Sequence, residues 1–187
     1  MRIIAGEFRG RKILPPEGEA TRPITDRVKQ SLFDILSPRI EGARVYDLFA
    51  GTGSMGLESL SRGASHATFY ESDRSALARL KKNIDELRIG DRAEIVGGDL
   101  FKWFTTGEAR EGADLIFLDP PYRFLREQAG KLTDLALAIK KKHLSNDGLI
   151  IFRHDANDEL ALPPLKVIDR REYGGMALEF LSRSAGG

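Results

Sequence analysis

Apolar residues recur along this chain with two different periods, and the two periods alternate from residue 44 onward. Short apolar runs predict buried strands at 44–48, 66–71, 93–96, 114–118 and 148–153. Between them, apolar residues at helical spacing predict helices over 54–62, 73–87, 100–104 and 124–143. Strands that alternate with helices indicate a parallel sheet covered on both faces, with ligands at the carboxyl ends of its strands.

The two ends of the chain depart from this alternation. Residues 1–16 mix short apolar pieces with Gly and Arg and end in two prolines, which predicts a small hairpin or extended arm. After a polar loop, Thr25 or Asp26 is expected to cap a helix that ends at Ser37-Pro38. Residues 165–173 and 177–182 predict two terminal strands joined near Gly174-Gly175, hence an antiparallel hairpin.

These elements predict an α/β fold with a mostly parallel, seven-stranded sheet, a C-terminal antiparallel hairpin and a small N-terminal β arm. The expected organisation is an arm over 1–22, the main part of a single domain over 23–183 and a disordered tail over 184–187.

Composition excludes several chemistries. The 187 residues include no cysteine, so the chain can form neither a disulfide, a thiolate zinc site nor a covalent thiolate adduct with a pyrimidine carbon. His66, His143 and His154 are scattered, so we expect no metal site and a surface or loop position for each. No apolar run approaches the roughly 20 residues of a membrane span, and no signal peptide is evident, which predicts a cytoplasmic protein without membrane contact.

Basic residues are unevenly distributed, although the formal net charge is only +1. Residues 1–12 contain Arg2, Arg9, Arg11 and Lys12 against one acid, and such clusters can bind nucleic-acid phosphates. A second cluster, at 140–142, closes a predicted helix. It fits either phosphate contacts or a solvated helix end favoured by the helix dipole.

A glycine-rich turn follows the first strand of the predicted sheet. It reads Asp47-Leu48-Phe49-Ala50-Gly51-Thr52-Gly53-Ser54-Met55-Gly56, and its G-x-G-x-x-G spacing suits NAD, FAD, S-adenosylmethionine or merely a tight turn. Asp47 would attract a sulfonium or an α-amino group but repel a pyrophosphate, which favours S-adenosylmethionine. Glu71 ends the next strand, where an acid can bind both ribose hydroxyls, and Asp99 ends the third, where it can reach an adenine amine.

The predicted cofactor-binding residues at these strand ends are Asp47, Phe49, Ala50, Gly51, Thr52, Gly53, Glu71, Ser72, Asp99 and Leu100.

Asp119-Pro120-Pro121-Tyr122 follows the fourth strand of the sheet. Taken alone, these four residues fit a rigid turn. They also fit a site that methylates an amine conjugated to a heterocycle, because such a nitrogen is a weak nucleophile and must be oriented. The Asp119 carboxylate and the Pro120 carbonyl can accept its two N–H groups, and Tyr122 can stack on an extruded base. Cofactor acids and this loop then lie on one edge of the sheet.

These motifs resemble the class I S-adenosylmethionine-dependent amino-methyltransferases, whose fold is Rossmann-like. The segments 6–13, Gly-Glu-Phe-Arg-Gly-Arg-Lys-Ile, and 22–33, Arg-Pro-Ile-Thr-Asp-Arg-Val-Lys-Gln-Ser-Leu-Phe, resemble the ribosomal small-subunit methyltransferase D family. The resemblance covers about residues 1–182. Departures from the family pattern are Ile24, Gln30, Asp34 and the sequence Tyr173-Gly174-Gly175.

The resemblance implies a 16S rRNA guanine-N2 methyltransferase that acts on the small ribosomal subunit or an assembly intermediate, without a metal and as a monomer. It carries Thr25 over to the cofactor site and implies RNA contacts by Arg9, Arg11, Lys12, Arg22 and Arg123, although Arg123 can equally pair with a nearby acid. A DNA adenine-N6 or cytosine-N4 methyltransferase and a non-catalytic RNA-binding assembly factor are the alternatives. The guanine chosen depends on RNA shape rather than on these motifs.

Overall fold

A seven-stranded mixed sheet forms the centre of the protein in its computed structural model, which describes residues 1–17, 23–107 and 111–183. The strands are β1 (Arg44–Leu48), β2 (His66–Glu71), β3 (Ala93–Gly97), β4 (Ala113–Leu118), β5 (Leu144–Asp155), β6 (Leu165–Tyr173) and β7 (Met176–Arg183). Their order is β3-β2-β1-β4-β5-β7-β6. Strands β1 to β5 pair in parallel, whereas β7 pairs antiparallel with β5 and β6. The predicted Rossmann-like sheet with its C-terminal hairpin is confirmed.

Helices pack on both faces of the sheet. They are α1 (Asp26–Ile40), α2 (Ser54–Ser61), α3 (Arg74–Leu87), α4 (Leu100–Thr106), α5 (Phe124–Glu127) and α6 (Ala129–Lys142). Alternate residues of β1 show the two faces, since Val45 joins the core beneath α1 to α3 whereas Tyr46 and Leu48 join the core beneath α4 and α6. A strand buried on both sides explains why the sequence is apolar without strict alternation there.

Helix α1 continues past the proline at which it was predicted to end. Thr25 is its cap, because its hydroxyl accepts a hydrogen bond from the Val28 N–H at 3.3 Å. Pro38 has no N–H to donate to the carbonyl of Asp34. The Ser37 hydroxyl donates to that carbonyl instead, at 2.9 Å, and the helix runs on to Ile40.

The single helix predicted over 124–143 is wrong, because the structure breaks it at Gln128. This residue has φ −135° and ψ 31°, outside the helical region, and separates the short α5 from α6. The Gln128 carbonyl accepts the Leu132 N–H at 3.1 Å, which starts the hydrogen-bond ladder of α6. The break lets the chain turn after the Asp119 loop before it packs against β5.

The N-terminal arm is fastened to the sheet layer through a buried charged network. Glu58 of α2, fully buried, accepts the backbone N–H groups of Ile4 and Ala5 at 2.8 and 3.1 Å. The Lys29 ammonium donates to the Arg2 carbonyl at 2.7 Å and lies 3.3 Å from Glu58. Burial lowers the pKa of Lys29, and the Glu58 carboxylate opposes that shift. The predicted arm thus exists, with one bridge between Arg2 and Lys12.

Two histidines that were expected at the surface are buried. His143 packs against the rings of Trp103 and Phe104, and His154 packs against Phe152. Both residues are buried. Sequence periodicity did not reveal this burial, because each histidine adjoins a polar or charged neighbour in the chain.

The predicted RNA contact Arg22 and the predicted disordered tail 184–187 lie outside the described residues.

Close packing of α2 on β2 gives a stability prediction for a glycine of the G-x-G-x-x-G motif. A Cβ on Gly56 would lie 2.3 Å from Cε1 of Phe69, so that Gly56→Ala must displace a buried ring. We expect a loss of about 1–3 kcal/mol in the free energy of unfolding by chemical denaturation. Gly130→Ala in α6 is the matched control, because its Cβ would meet no atom within 4 Å. An equal effect of both changes would contradict this packing argument.

Candidate active site

The site lies where the strand order of the sheet reverses. After β1 the chain builds β2 and β3 on one side and then crosses to β4 on the other, so that a crevice opens at the carboxyl ends of β1 and β4. Asp47 lies in β1, and Asp119 directly follows β4. Leu48 is paired with Leu118, and the Asp119 N–H donates to the Leu48 carbonyl at 3.4 Å. The two acids therefore enter the same crevice from neighbouring strands.

A cavity of about 590 Å³ occupies this crevice. Its walls come from the glycine-rich turn, the end of β2, the start of α3, the Asp119 loop and β5, together with residues of the arm and of the segment before α1. The predicted site residues among its lining are Asp47, Phe49, Ala50, Gly51, Thr52, Glu71, Ser72, Asp119, Pro121 and Arg123. A volume of this size suits a small-molecule cofactor together with part of a substrate.

The glycine-rich turn is held in left-handed conformations by its neighbours. Phe49, Gly51 and Gly53 have φ of 60°, 56° and 85°. Such a φ costs a phenylalanine roughly 1–3 kcal/mol, and strain of this kind concentrates at ligand sites. The Glu71 carboxylate accepts the N–H of Gly51 at 2.7 Å and those of Ser72 and Asp73 at 2.8 Å. Glu71 therefore orders both the turn and the start of α3 at the cavity wall.

Asp47 is a buried acid without a salt-bridge partner at hydrogen-bonding distance among the described residues. It is 2% exposed, and its Oδ2 accepts the Gly56 N–H at 2.9 Å. Burial above all, with smaller contributions from the charges of Asp119 and Glu71, raises the pKa of Asp47 to about 8, although the Gly56 hydrogen bond and the charge of Arg153 lower it. A cation in the cavity would stabilise the ionised form, so the electrostatics favour a positively charged ligand.

Asp119 is gripped by an arginine that sequence reasoning missed. Arg153 donates from Nε to Oδ1 of Asp119 at 2.7 Å, and its Nη2 lies 2.7 Å from Oδ2. Burial lowers the pKa of Arg153, but the charge and hydrogen bonds of Asp119 outweigh burial and raise this pKa above its ordinary value. The sequence did contain a signal for Arg153, since it is a charged residue at the end of an apolar run, as Asp47 and Glu71 are.

Aromatic residues form one wall of the cavity, and two of them were also missed. The ring of Phe49 lies 5.9 Å from the ring of Phe101 and 5.9 Å from that of Phe124, centroid to centroid. Phe49 and Phe124 line the cavity directly. These three rings come from the turn after β1 and from the starts of α4 and α5, so that no spacing in the sequence indicates the cluster. They offer an apolar face suited to a flat heterocycle.

Several predicted site residues do not line the cavity. Asp99 caps α4 by accepting the Phe101 N–H at 3.0 Å, and Leu100 is buried in the core. Gly53 is buried behind the turn, and Thr25 caps α1 beside the lining residue Ile24. Pro120 and Tyr122 belong to the loop but stand outside the lining too. For these six residues, as for those that line the cavity, a contact with cofactor or substrate stays a prediction.

The basic residues predicted to bind RNA fall into two places. Arg123 lies at the cavity, 66% exposed and 3.6 Å from Glu127, an exposed pair of little energetic weight. Arg11 donates to the Glu86 carbonyl near the end of α3, whereas Ser75 at the start of that helix lines the cavity. At 1.5 Å per residue, the tip of the arm is roughly 15 Å from the cavity along the helix. Arg9 and Lys12 are exposed on the same arm.

Among residues 1–17, 23–107 and 111–183, no three His, Cys, Asp or Glu side chains come together in an arrangement that could hold a metal ion. In the same part of the chain, every helix is too short or too polar to cross a membrane.

Comparison with solved structures defines the class of protein. The Escherichia coli protein yhhF, described as a candidate methyltransferase, superposes with a TM-score of 0.85 at 33% identity, over 100% of this chain and 99% of that one. The Thermus thermophilus hypothetical protein TTHA0928 superposes with a TM-score of 0.76 at 30% identity, over 97% and 99% of the two chains. Fold and site together are those of a Rossmann-like α/β methyltransferase.

Sequence comparison assigns the family. The family model of conserved hypothetical protein 95 matches residues 1–182. Ribosomal RNA small subunit methyltransferase D of Haemophilus influenzae is 37% identical over 165 residues, 87% of this chain and 83% of that protein. Its Escherichia coli K12 counterpart is 38% identical over 156 residues, 78% and 76% of the two chains. The chain belongs to the ribosomal RNA small subunit methyltransferase D family.

Proposed function

We propose that this protein transfers a methyl group from S-adenosylmethionine to the exocyclic N2 of a guanine in 16S rRNA. The observation that carries the proposal is a single cavity lined by Asp47 and Glu71 on one side and by Asp119 on the other. The acids proposed to bind the cofactor and the carboxylate proposed to orient the amine thus line the same cavity. The relatives that bear the name ribosomal RNA small subunit methyltransferase D support the choice of RNA.

The residues of the cavity fit this cofactor. The raised pKa of buried Asp47 marks a position where a positive charge is favourable, as a sulfonium or an α-ammonium group requires. Glu71 faces the cavity with a carboxylate able to accept ribose hydroxyls, and the rings of Phe49 and Phe124 can pack against an adenine. S-adenosylmethionine would supply an electrophilic methyl group on sulfonium, leaving a neutral thioether after transfer.

The Asp119 loop would orient the attacking amine. The carbonyls of Pro121 and Tyr122 already accept the N–H groups of Phe124 and Leu125, at 2.8 and 3.2 Å. The carboxylate of Asp119 and the carbonyl of Pro120 are therefore the acceptors assigned to the two amine hydrogens. Holding both hydrogens in one plane turns the nitrogen lone pair toward the methyl group. As the N–C bond forms, the electron pair of the S–C bond stays on sulfur, and the methylated amine then gives up one proton to solvent water.

RNA would be bound both at the cavity and along the arm. Arg123, which is exposed at the cavity, would contact a phosphate beside the target nucleotide. Arg9, Arg11 and Lys12 would contact phosphates farther along the RNA, because the arm tip lies away from the cavity. Arg22 belongs to the same proposal from the sequence. Tyr122 would stack on the extruded guanine.

The test is mass mapping of methylated nucleosides in 16S rRNA from a strain that lacks the protein. We expect one N2-methylguanosine to disappear, to return with the wild-type gene and to stay absent with Asp119→Asn. Purified protein should label small-subunit RNA but not duplex DNA. Labelling of DNA adenine or cytosine instead would support a DNA methyltransferase, and restored ribosome assembly by the inactive variant would support an assembly factor.

A further inference from the structure

The carboxylate of Asp119 lies between two strands that carry opposite charges. Strand β4 pairs with β1 on one side, where Asp47 is located, and with β5 on the other, where Arg153 is located. Leu118 is paired with Phe152, so Asp119 and Arg153 are the next residues of the same register at the carboxyl edge. The direction of the arginine is thereby fixed by the sheet itself.

Arg153 holds this carboxylate with a planar, two-point contact. The side chain of Arg153 is 7% exposed and that of Asp119 is 19% exposed, so solvent weakens their attraction little. Both contacts measure 2.7 Å, and Nη1 of Arg153 lies 3.9 Å from the Met176 sulfur of β7. A guanidinium fork fixes the plane of the carboxylate, which a single-point contact with an ammonium group cannot do.

On the basis of the proposed function, we infer that Arg153 is a positioning residue that sets the orientation of Asp119 toward the target amine. Each carboxylate oxygen has two lone-pair positions, and the fork uses one on each. The remaining positions are available to a substrate amine, because Asp119 lines the cavity. A carboxylate locked in this plane presents an acceptor to the amine without having to be ordered during the reaction.

Arg153 also balances the charge of the site. The cavity lining includes five carboxylates, those of Glu17, Asp47, Glu71, Asp73 and Asp119, and Arg153 contacts Asp119 directly. A neutral replacement would leave Asp119 among the other acids without this counter-charge. A lysine would keep the charge but lose the fork. These two replacements therefore separate orientation from charge.

The kinetic test compares Arg153→Lys with wild type in methyl transfer to small-subunit RNA. We expect kcat to fall roughly 10- to 100-fold, as for a small misplacement of a reacting group, with KM for cofactor and for RNA nearly unchanged. The kcat of Arg153→Gln should be lower still, because this variant loses the charge as well as the two-point contact. The exposed pair of Arg126 with Asp158 gives the control, since Arg126→Lys should leave kcat unaltered. Wild-type kcat in Arg153→Lys would overturn the proposal.

A double-mutant cycle distinguishes positioning from simple stabilisation. If Arg153 acts through Asp119, then Arg153→Lys added to Asp119→Asn should cause no further loss of kcat. Fully additive losses would overturn the proposal.

An independent readout does not need the RNA substrate. In ¹⁵N NMR spectra of the wild-type protein, the Arg153 Nε–H should be protected from exchange, and Asp119→Ala, which leaves no acceptor, should remove that protection. Absence of a protected Nε–H would overturn the two-point contact between Arg153 and Asp119. A protected Nε–H in a protein that methylates no small-subunit RNA would instead refute the proposed function and leave that contact intact.

Discussion

Asp119→Asn should lower methyl transfer at least about a hundredfold, the effect of removing one group that stabilises charge in a transition state. The amide replaces one carboxylate oxygen with an NH₂ group. That group would face either the guanidinium of Arg153 or the target amine, and in both cases two donors meet without an acceptor. Single-turnover labelling of small-subunit RNA measures the loss, while calorimetric titration with S-adenosylmethionine should show affinity close to that of wild type.

Two further variants make this result specific. Asp119→Ala should be equally inactive and also less stable, by about 3–5 kcal/mol, because the buried Arg153 loses its charge partner. Glu159→Gln is the control for removing a carboxylate, since Glu159 is exposed and lies outside the cavity lining. Near-normal turnover in Asp119→Asn would show that the amine is oriented by other groups.

Affinity for S-adenosylmethionine should increase up to about tenfold per pH unit as the pH rises toward 8, and then level off. The pKa of Asp47 is about 8 in the free protein, so this carboxyl group is mostly protonated below that pH. A cationic ligand favours the carboxylate, and binding below pH 8 must therefore release a proton. Above pH 8 the proton is already absent. Calorimetry in two buffers of different ionisation enthalpy counts the released protons directly.

The raised pKa of Asp47 also makes the stability of the folded protein depend on pH. The folded-state pKa of Asp47 lies above its ordinary value of 3.8, so the free protein binds this proton more tightly than the unfolded chain does. This contribution to stability is complete below about pH 3.8 and is lost as the pH rises through about 8. Added cofactor should reverse the loss in thermal melts at alkaline pH.

Variants of the two cofactor acids separate their roles. Asp47→Asn keeps an acceptor for the Gly56 N–H, so the turn should persist while the pH dependence of binding disappears. Glu71→Gln should weaken cofactor binding at every pH but keep the wild-type change of affinity with pH, because Glu71 orders the turn through the Gly51 N–H and the start of α3 through those of Ser72 and Asp73. If affinity still changed with pH in Asp47→Asn as it does in the wild type, the proton released on cofactor binding would belong to another group.

The pattern of apolar and polar residues along the sequence was sufficient to locate most helices and strands and the candidate site. The ends of β1 and β2 are those predicted, since buried strands are short, apolar and bounded by polar residues. Helix boundaries were less predictable. Pro38 stays within α1 because a serine hydroxyl replaces the missing hydrogen bond, and Gln128 interrupts a helix whose apolar spacing is otherwise regular.

The sequence by itself determined that strands and helices alternate, that acids end the first strands, and that Asp119 with its prolines follows the fourth. Those features are local, since periodicity and turn chemistry depend on neighbours along the chain. Tertiary structure alone decided that Arg153 binds Asp119, that three phenylalanine rings meet, that two histidines are buried and that the tip of the arm lies away from the cavity. Each of these depends on strand order and register, which bring together residues that are distant in the chain.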